Sequence, residues 1–233
     1  MLLAPPRTLR LRPRSLGAGA LTAFASVGAT AFGVGHGWPI WAAGLAAAVP
    51  WLPLVLFGVG WSYRRYQWLA LFYVLVVTQI GHFLEHVAQM VQIHLLGLSG
   101  PSARGVFGAL DIELVHFAWN SWVILAVLVL LLRFGGNRWL WLTALLAGWH
   151  ELEHAYIVSV YLATGLAGTP GLLAHGGAVG GGLPLSRPDL HFVYNLVETC
   201  PLVAAFVHEL RARPRVGAQP APRTPDKAKM PAC

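Results

Sequence analysis

The stretch Trp139–Thr164, WLWLTALLAGWHELEHAYIVSVYLAT, decides how the rest of the chain is read. As a helix it would run roughly 39 Å, enough to cross the hydrocarbon core of a bilayer. Most of it is Leu, Ala, Val, Ile and Trp; its middle is His150-Glu151-Leu152-Glu153-His154. At helical spacing His150, Glu153, His154 and Tyr161 share one side, and Glu151 stands off it. A helix of this kind turns its polar stripe toward other helices, because lipid cannot solvate it.

Three further segments repeat the pattern. HFLEH, with Gln89 one turn on, puts His82, Glu85, His86 and Gln89 within about 100° of one another. ELVHFAWN holds Glu113, His116 and Asn120 within about 60°, and HFVYNLVE does the same for His191, Asn195 and Glu198. Apolar runs of spanning length fall at roughly 17–35, 38–62, 67–97, 109–133, 139–164 and 188–210. The expectation is an all-α polytopic membrane protein, a bundle of six transmembrane helices occupying 16–210. The helices at 67–97, 109–133, 139–164 and 188–210 would carry the stripes. Residues 1–15 read as a basic cytoplasmic N-terminus and 211–233 as a basic, Pro-rich, disordered cytoplasmic tail. The first span is rich in small residues, and Ala-Phe-Ala ending at Ala25 also fits a cleaved signal peptide.

Composition agrees. Hydrophobic residues make up 56% of 233 and charged residues 11%, against about 25% charged in soluble domains. The formal charge of +7 is arranged along the chain rather than on one face. Arg7, Arg10, Arg12, Arg14, Arg64, Arg65, Arg133 and Arg138 fall in one set of connections, with the six Arg and Lys residues after 210. Only Arg104 and Arg187 fall in the other set, a division of 14 against 2. By the positive-inside rule both termini are cytoplasmic, and the expected place is a prokaryotic plasma (inner) membrane. Charges placed for topology leave no patch for nucleic acid. Cys200 and Cys233 make no disulfide framework, and Cys200 reads as a small packing residue.

The stripes meet at one depth. Counting along each span puts His86, His116, His154 and Asn195 roughly 10–17 Å below the outer boundary. Five Glu residues near that depth (85, 113, 151, 153 and 198) would cost on the order of 12–18 kcal/mol if charged. Interhelical hydrogen bonds return only about 0.6 kcal/mol each, whereas a tightly bound metal supplies about 10–16 kcal/mol. The candidate ligands are His82, Glu85, His86, Glu113, His116, His150, His154, His191 and Glu198, with Gln89, Asn120 and Asn195 around them. That exceeds what one ion takes, so two metal ions are expected: iron first, then copper or zinc. Glu151, Glu153 and Tyr161 are the candidate catalytic groups.

Glu113-x-x-His116 and Glu151-x-x-His154 resemble the ligand pairs of di-iron carboxylate bundles. More loosely, the His pairs resemble the histidine-box membrane hydroxylases and desaturases, although the HxxHH boxes of that family are missing. These resemblances cover residues 82–198 and imply an oxidoreductase acting on a lipophilic substrate, with electrons from a partner protein. A different chemistry is also spelled out by His150-Glu151-x-x-His154, the H-E-x-x-H zinc motif with Glu151 as general base. A metal or proton transporter is the third class. It would spread ligands through the full membrane depth, and here they gather in the middle and outer half.

Overall fold

The computed structural model describes residues 13–108 and 112–212. The basic N-terminus and the Pro-rich tail lie wholly or largely outside those residues. Seven α-helices make up the described chain. They are α1 (Pro13–Gly35), α2 (Ile40–Ala48), α3 (Leu52–Arg65), α4 (Gln67–Met90), α5 (Ile112–Phe134), α6 (Arg138–Thr164) and α7 (Arg187–Ala212). No strand occurs among the described residues.

α2 and α3 form one helical run, joined by a single 3-10 turn at Val49–Trp51. Pro50 and Pro53 lack the amides that would keep that turn α-helical. α4 ends in a π turn, Val91–Leu95. Five of the helical segments are long and apolar enough to cross a membrane: Leu16–Gly35, Ile40–Arg65, Gln67–Leu95, Glu113–Phe134 and Arg187–Ala212. α6 is longer than all of them except Gln67–Leu95, but the His and Glu residues of its HELEH core hold its mean hydropathy down. Its outer side is still apolar: Leu145 is 71% and Leu152 60% exposed. Exposed Leu, Phe and Val over all seven helices suit a hydrocarbon solvent, since a water-soluble fold rarely shows so large an apolar surface.

α4, α5, α6 and α7 pack in a closed ring, each helix touching the next and α7 touching α4. α3 packs on the outside of α4, and α1 pairs with α2 at the edge. The tight turn between α5 and α6 is held by Asn137. Its side chain caps α6 by accepting from the amides of Trp139 and Leu140, and donates to Ala205 O and Glu209 Oε1 across the gap to α7.

The ring is divided along its length. Toward the α5–α6 turn it is filled by Leu69, Phe72, Leu75, Val127, Leu130, Leu140 and Leu202, all buried and apolar. Phe72 lies against Phe134 and Phe206, with ring centroids at 5.7 and 5.3 Å. The other half, under the loops at 96–108 and 165–186, carries the polar stripes.

Candidate metal centre

Each ring helix turns one or two histidines inward, while His208 near the end of α7 is exposed. α4 supplies His82 and His86, α5 His116, α6 His150 and His154, and α7 His191; all six are buried, the most accessible at 5%. The pairs on α4 and α6 are four residues apart, so each helix presents two imidazoles from adjacent turns.

The six rings form two triangles. His82, His86 and His116 have centroids 4.8, 5.4 and 5.1 Å apart. His150, His154 and His191 have centroids 4.9, 5.5 and 4.8 Å apart. His116 faces His154 at 5.9 Å and His86 faces His191 at 6.4 Å, which joins the triangles along an edge.

In the second triangle one ring nitrogen from each histidine lies within 4.8 Å of the others, so His150, His154 and His191 form a buried group able to hold a metal ion. His150 Nε2 and His154 Nε2 are 3.2 Å apart. Two nitrogens on a tetrahedral ion with bonds near 2.0–2.1 Å would be separated by about 3.3 Å. The remaining nitrogens are oriented to suit. Glu198 Oε2 lies 3.1 Å from His150 Nδ1, and an ionised carboxylate only accepts, so Nδ1 carries the proton and Nε2 the lone pair. The carbonyl of Arg187 fixes His191 the same way, through Nδ1 at 2.9 Å. Metal-binding histidines are characteristically held by such carboxylate and carbonyl contacts.

Beside the first triangle, Trp119 stacks on His82 at 5.3 Å and 14°. Both nitrogens of His86, Nε2 of His82, Nδ1 of His154, Nε2 of His191 and Oε1 of Glu198 have no hydrogen-bond partner within the protein. An unmet buried polar atom costs about 1–3 kcal/mol, so six converging on one place mark a site that binds something polar.

The structure gives most of the other carboxylates different partners from those expected. Glu85 Oε1 accepts from the amides of Val106, Phe107 and Gly108 at 2.6, 2.8 and 3.0 Å. Glu113 is paired with Arg187 through both guanidinium nitrogens and accepts from Gly168 N at 2.7 Å. Glu153 Oε1 accepts from Leu172 N at 2.8 Å. Glu151, pointing away from His154, accepts from Ser121 Oγ at 2.6 Å. The Glu-x-x-His pairing therefore breaks up: its histidines stay in the centre while its carboxylates anchor loops or a neighbouring helix. Glycine makes two of these contacts fit. Gly105 and Gly171 have φ of +75° and +80°, and a Cβ on either would collide with Glu85 Oε1 or Glu153 Oε1.

Of the surrounding amides, Asn195 donates to His191 O and Asn120 to His116 O, while Gln89 reaches away to Ala103 O. Tyr161 sits half-buried in the last turn of α6, about 10 Å of helix rise beyond His154. Sequence reasoning passed over Arg187, Tyr194 and Gln79. Tyr194 lies 5.2 Å from His150 and 5.8 Å from His191. Gln79 donates to Asn195 Oδ1 at 3.2 Å. The signal was present, since 187, 191, 194 and 198 follow helical spacing, as do 79, 82 and 86.

A cavity of about 510 Å³ lies on the loop side of the centre. His86, His116, His154 and His191 line it, with Leu98–Gly100, Arg104, Gly168 and Arg187 from the loops and helix starts. No family model matches this chain, and comparison with curated proteins and with solved structures returns no match.

Proposed function

We propose that this chain is a membrane metalloenzyme with six spans and both termini in the cytoplasm. It holds two redox metal ions in the six-imidazole centre and oxidises a lipophilic substrate reached from the outer face. The observation that carries this reading is the sorting of six buried imidazoles into two triangles that face each other edge to edge. With Glu113 and Glu151 engaged elsewhere, the donors are almost all imidazole nitrogens. That moves copper ahead of iron, with zinc third.

A redox metal would supply oxygen or peroxide activation, and an electron-donor protein would supply the electrons. The chain's own groups do the rest. Glu198 and the Arg187 carbonyl hold the ring protons of His150 and His191 away from the centre. Glu153, whose Oε2 has no partner, is the candidate proton-transfer group, and the apolar half of the ring keeps water out from the far side. That apolar filling also argues against transport, which needs a polar way through.

One zinc ion on His150, His154 and His191 is the second reading, favoured by their close nitrogens. As a hydrolase it would want Glu151 beside the metal, and the bond from Ser121 holds Glu151 elsewhere.

The test is elemental analysis by plasma mass spectrometry with visible and paramagnetic resonance spectra of the detergent-purified protein. The expected result is two copper or iron ions per chain, one lost in H82A/H86A and the other in H154A/H191A. One zinc with a blank spectrum would shift the assignment to the hydrolase. A metal-free protein after anaerobic preparation would end both.

A further inference from the structure

The cavity over the imidazoles contains a cation with no counter-ion among the described residues. Two arginines line it, Arg104 and Arg187. Arg187 is neutralised by Glu113. Arg104 is half-buried, and among the described residues no carboxylate pairs with it. Among the described residues no Asp or Glu lines the cavity, so these walls carry a net positive charge. A guanidinium offers a planar fork of donors that matches a carboxylate or phosphate in two-point contact.

The rest of the lining narrows the ligand further. Ile93, Leu98 and Pro188 give the cavity an apolar side, and His86, with neither ring nitrogen partnered, stands at its base. Its volume lies within the roughly 300–1,000 Å³ of small-molecule sites. We propose that this cavity binds a molecule bearing an oxyanion, held on Arg104, with its apolar body against Ile93, Leu98 and Pro188 and its far end over the imidazoles. The inference names the substrate class for the oxidation reading and rests on that reading for turnover. Binding itself requires no metal.

The experiment uses the full-length protein in phosphatidylcholine nanodiscs, titrated calorimetrically with dodecanoate, dodecyl phosphate, dodecanol and inorganic phosphate, before and after chelation. The two anionic chains are expected to bind about tenfold or more tighter than dodecanol. R104Q is expected to erase that margin and R104K to keep most of it, both with unchanged circular dichroism. Inorganic phosphate competing as well as dodecyl phosphate would assign the site to a soluble oxyanion; a clear preference for the chain-bearing phosphate would assign it to an amphiphile drawn from the bilayer. Equal binding of dodecanol, or an unaltered margin in R104Q, would overturn the proposal. A margin that persists in protein unable to bind metal would keep this inference and remove only the metal reading.

Discussion

Glu198 is the carboxylate whose job the structure defines most narrowly. It is 1% exposed, it accepts the Nδ1 proton of His150, and its other oxygen has no partner in the protein. Replacing it with an isosteric amide keeps an acceptor for Nδ1 but removes the charge that makes the ring a strong donor to metal. E198Q is therefore expected to weaken metal binding by about 10–100-fold while leaving the helical spectrum intact. Competition with a chromophoric chelator reads that change, and undiminished affinity in E198Q would show that Glu198 serves packing alone. His150 and Glu198 were both legible as inward-facing from the 3.6-residue period, and so were the other five histidines. Their division into two triangles was not, because helical periodicity gives a direction and says nothing of which rings meet across the bundle. Cys200 marks the opposite limit: expected to pack, it faces outward.

At the scale of elements, the loops are docked onto the ring helices by carboxylates that sequence reasoning assigned to metal (Glu85, Glu113) or to catalysis (Glu153). Loop residues 105–108 sit on Glu85, and residues 168–172 sit on Glu113 and Glu153. No sequence pattern announces such contacts, since they use backbone amides that every residue possesses, and only the positive-φ glycines leave a trace. The Arg187–Glu113 pair is the strongest of them, with Glu113 fully buried. Breaking one side of a buried pair costs about 3–5 kcal/mol, because the remaining charge is stranded. R187Q should lower the melting temperature and speed hydrogen exchange at Gly168 and Leu172, and E113Q/R187Q should recover much of the loss. Were the double variant as unstable as R187Q, the pair would not be what holds the loop. G171A tests the same docking from the loop side. A side chain at φ +80° meets Glu153 Oε1, so faster exchange at Leu172 is expected, with the helices undisturbed.

Taken whole, the molecule is a ring of four helices sealed by apolar side chains at one end and opened by a cavity above six imidazoles at the other. The helical boundaries were legible in the sequence within a few residues, because long apolar runs, Asn137 and Gly165 mark them plainly. The arrangement has functional meaning only if the cavity faces a defined side of the membrane. By the positive-inside rule, the charge division of 14 against 2 predicts cavity loops outside and both ends of the chain inside. Cysteine accessibility measures that directly. With Cys200 replaced by Ser, A178C in the cavity-side loop should react with an impermeant maleimide in intact cells, in a chain that also carries C233S. The native Cys233, in a chain with Ala178 unchanged, should react only after permeabilisation. The reverse pattern would turn the cavity toward the cytoplasm and remove outer-face access to substrate. Labelling of both sites in intact cells would put the loop and the C-terminus on one side, which an even number of spans with α7 crossing the membrane forbids. Under the oxidation reading that pattern would set the route: the ligand proposed for Arg104 would arrive from the outer water or the outer leaflet, because Leu69, Phe72, Leu130 and Leu202 close the other end to water.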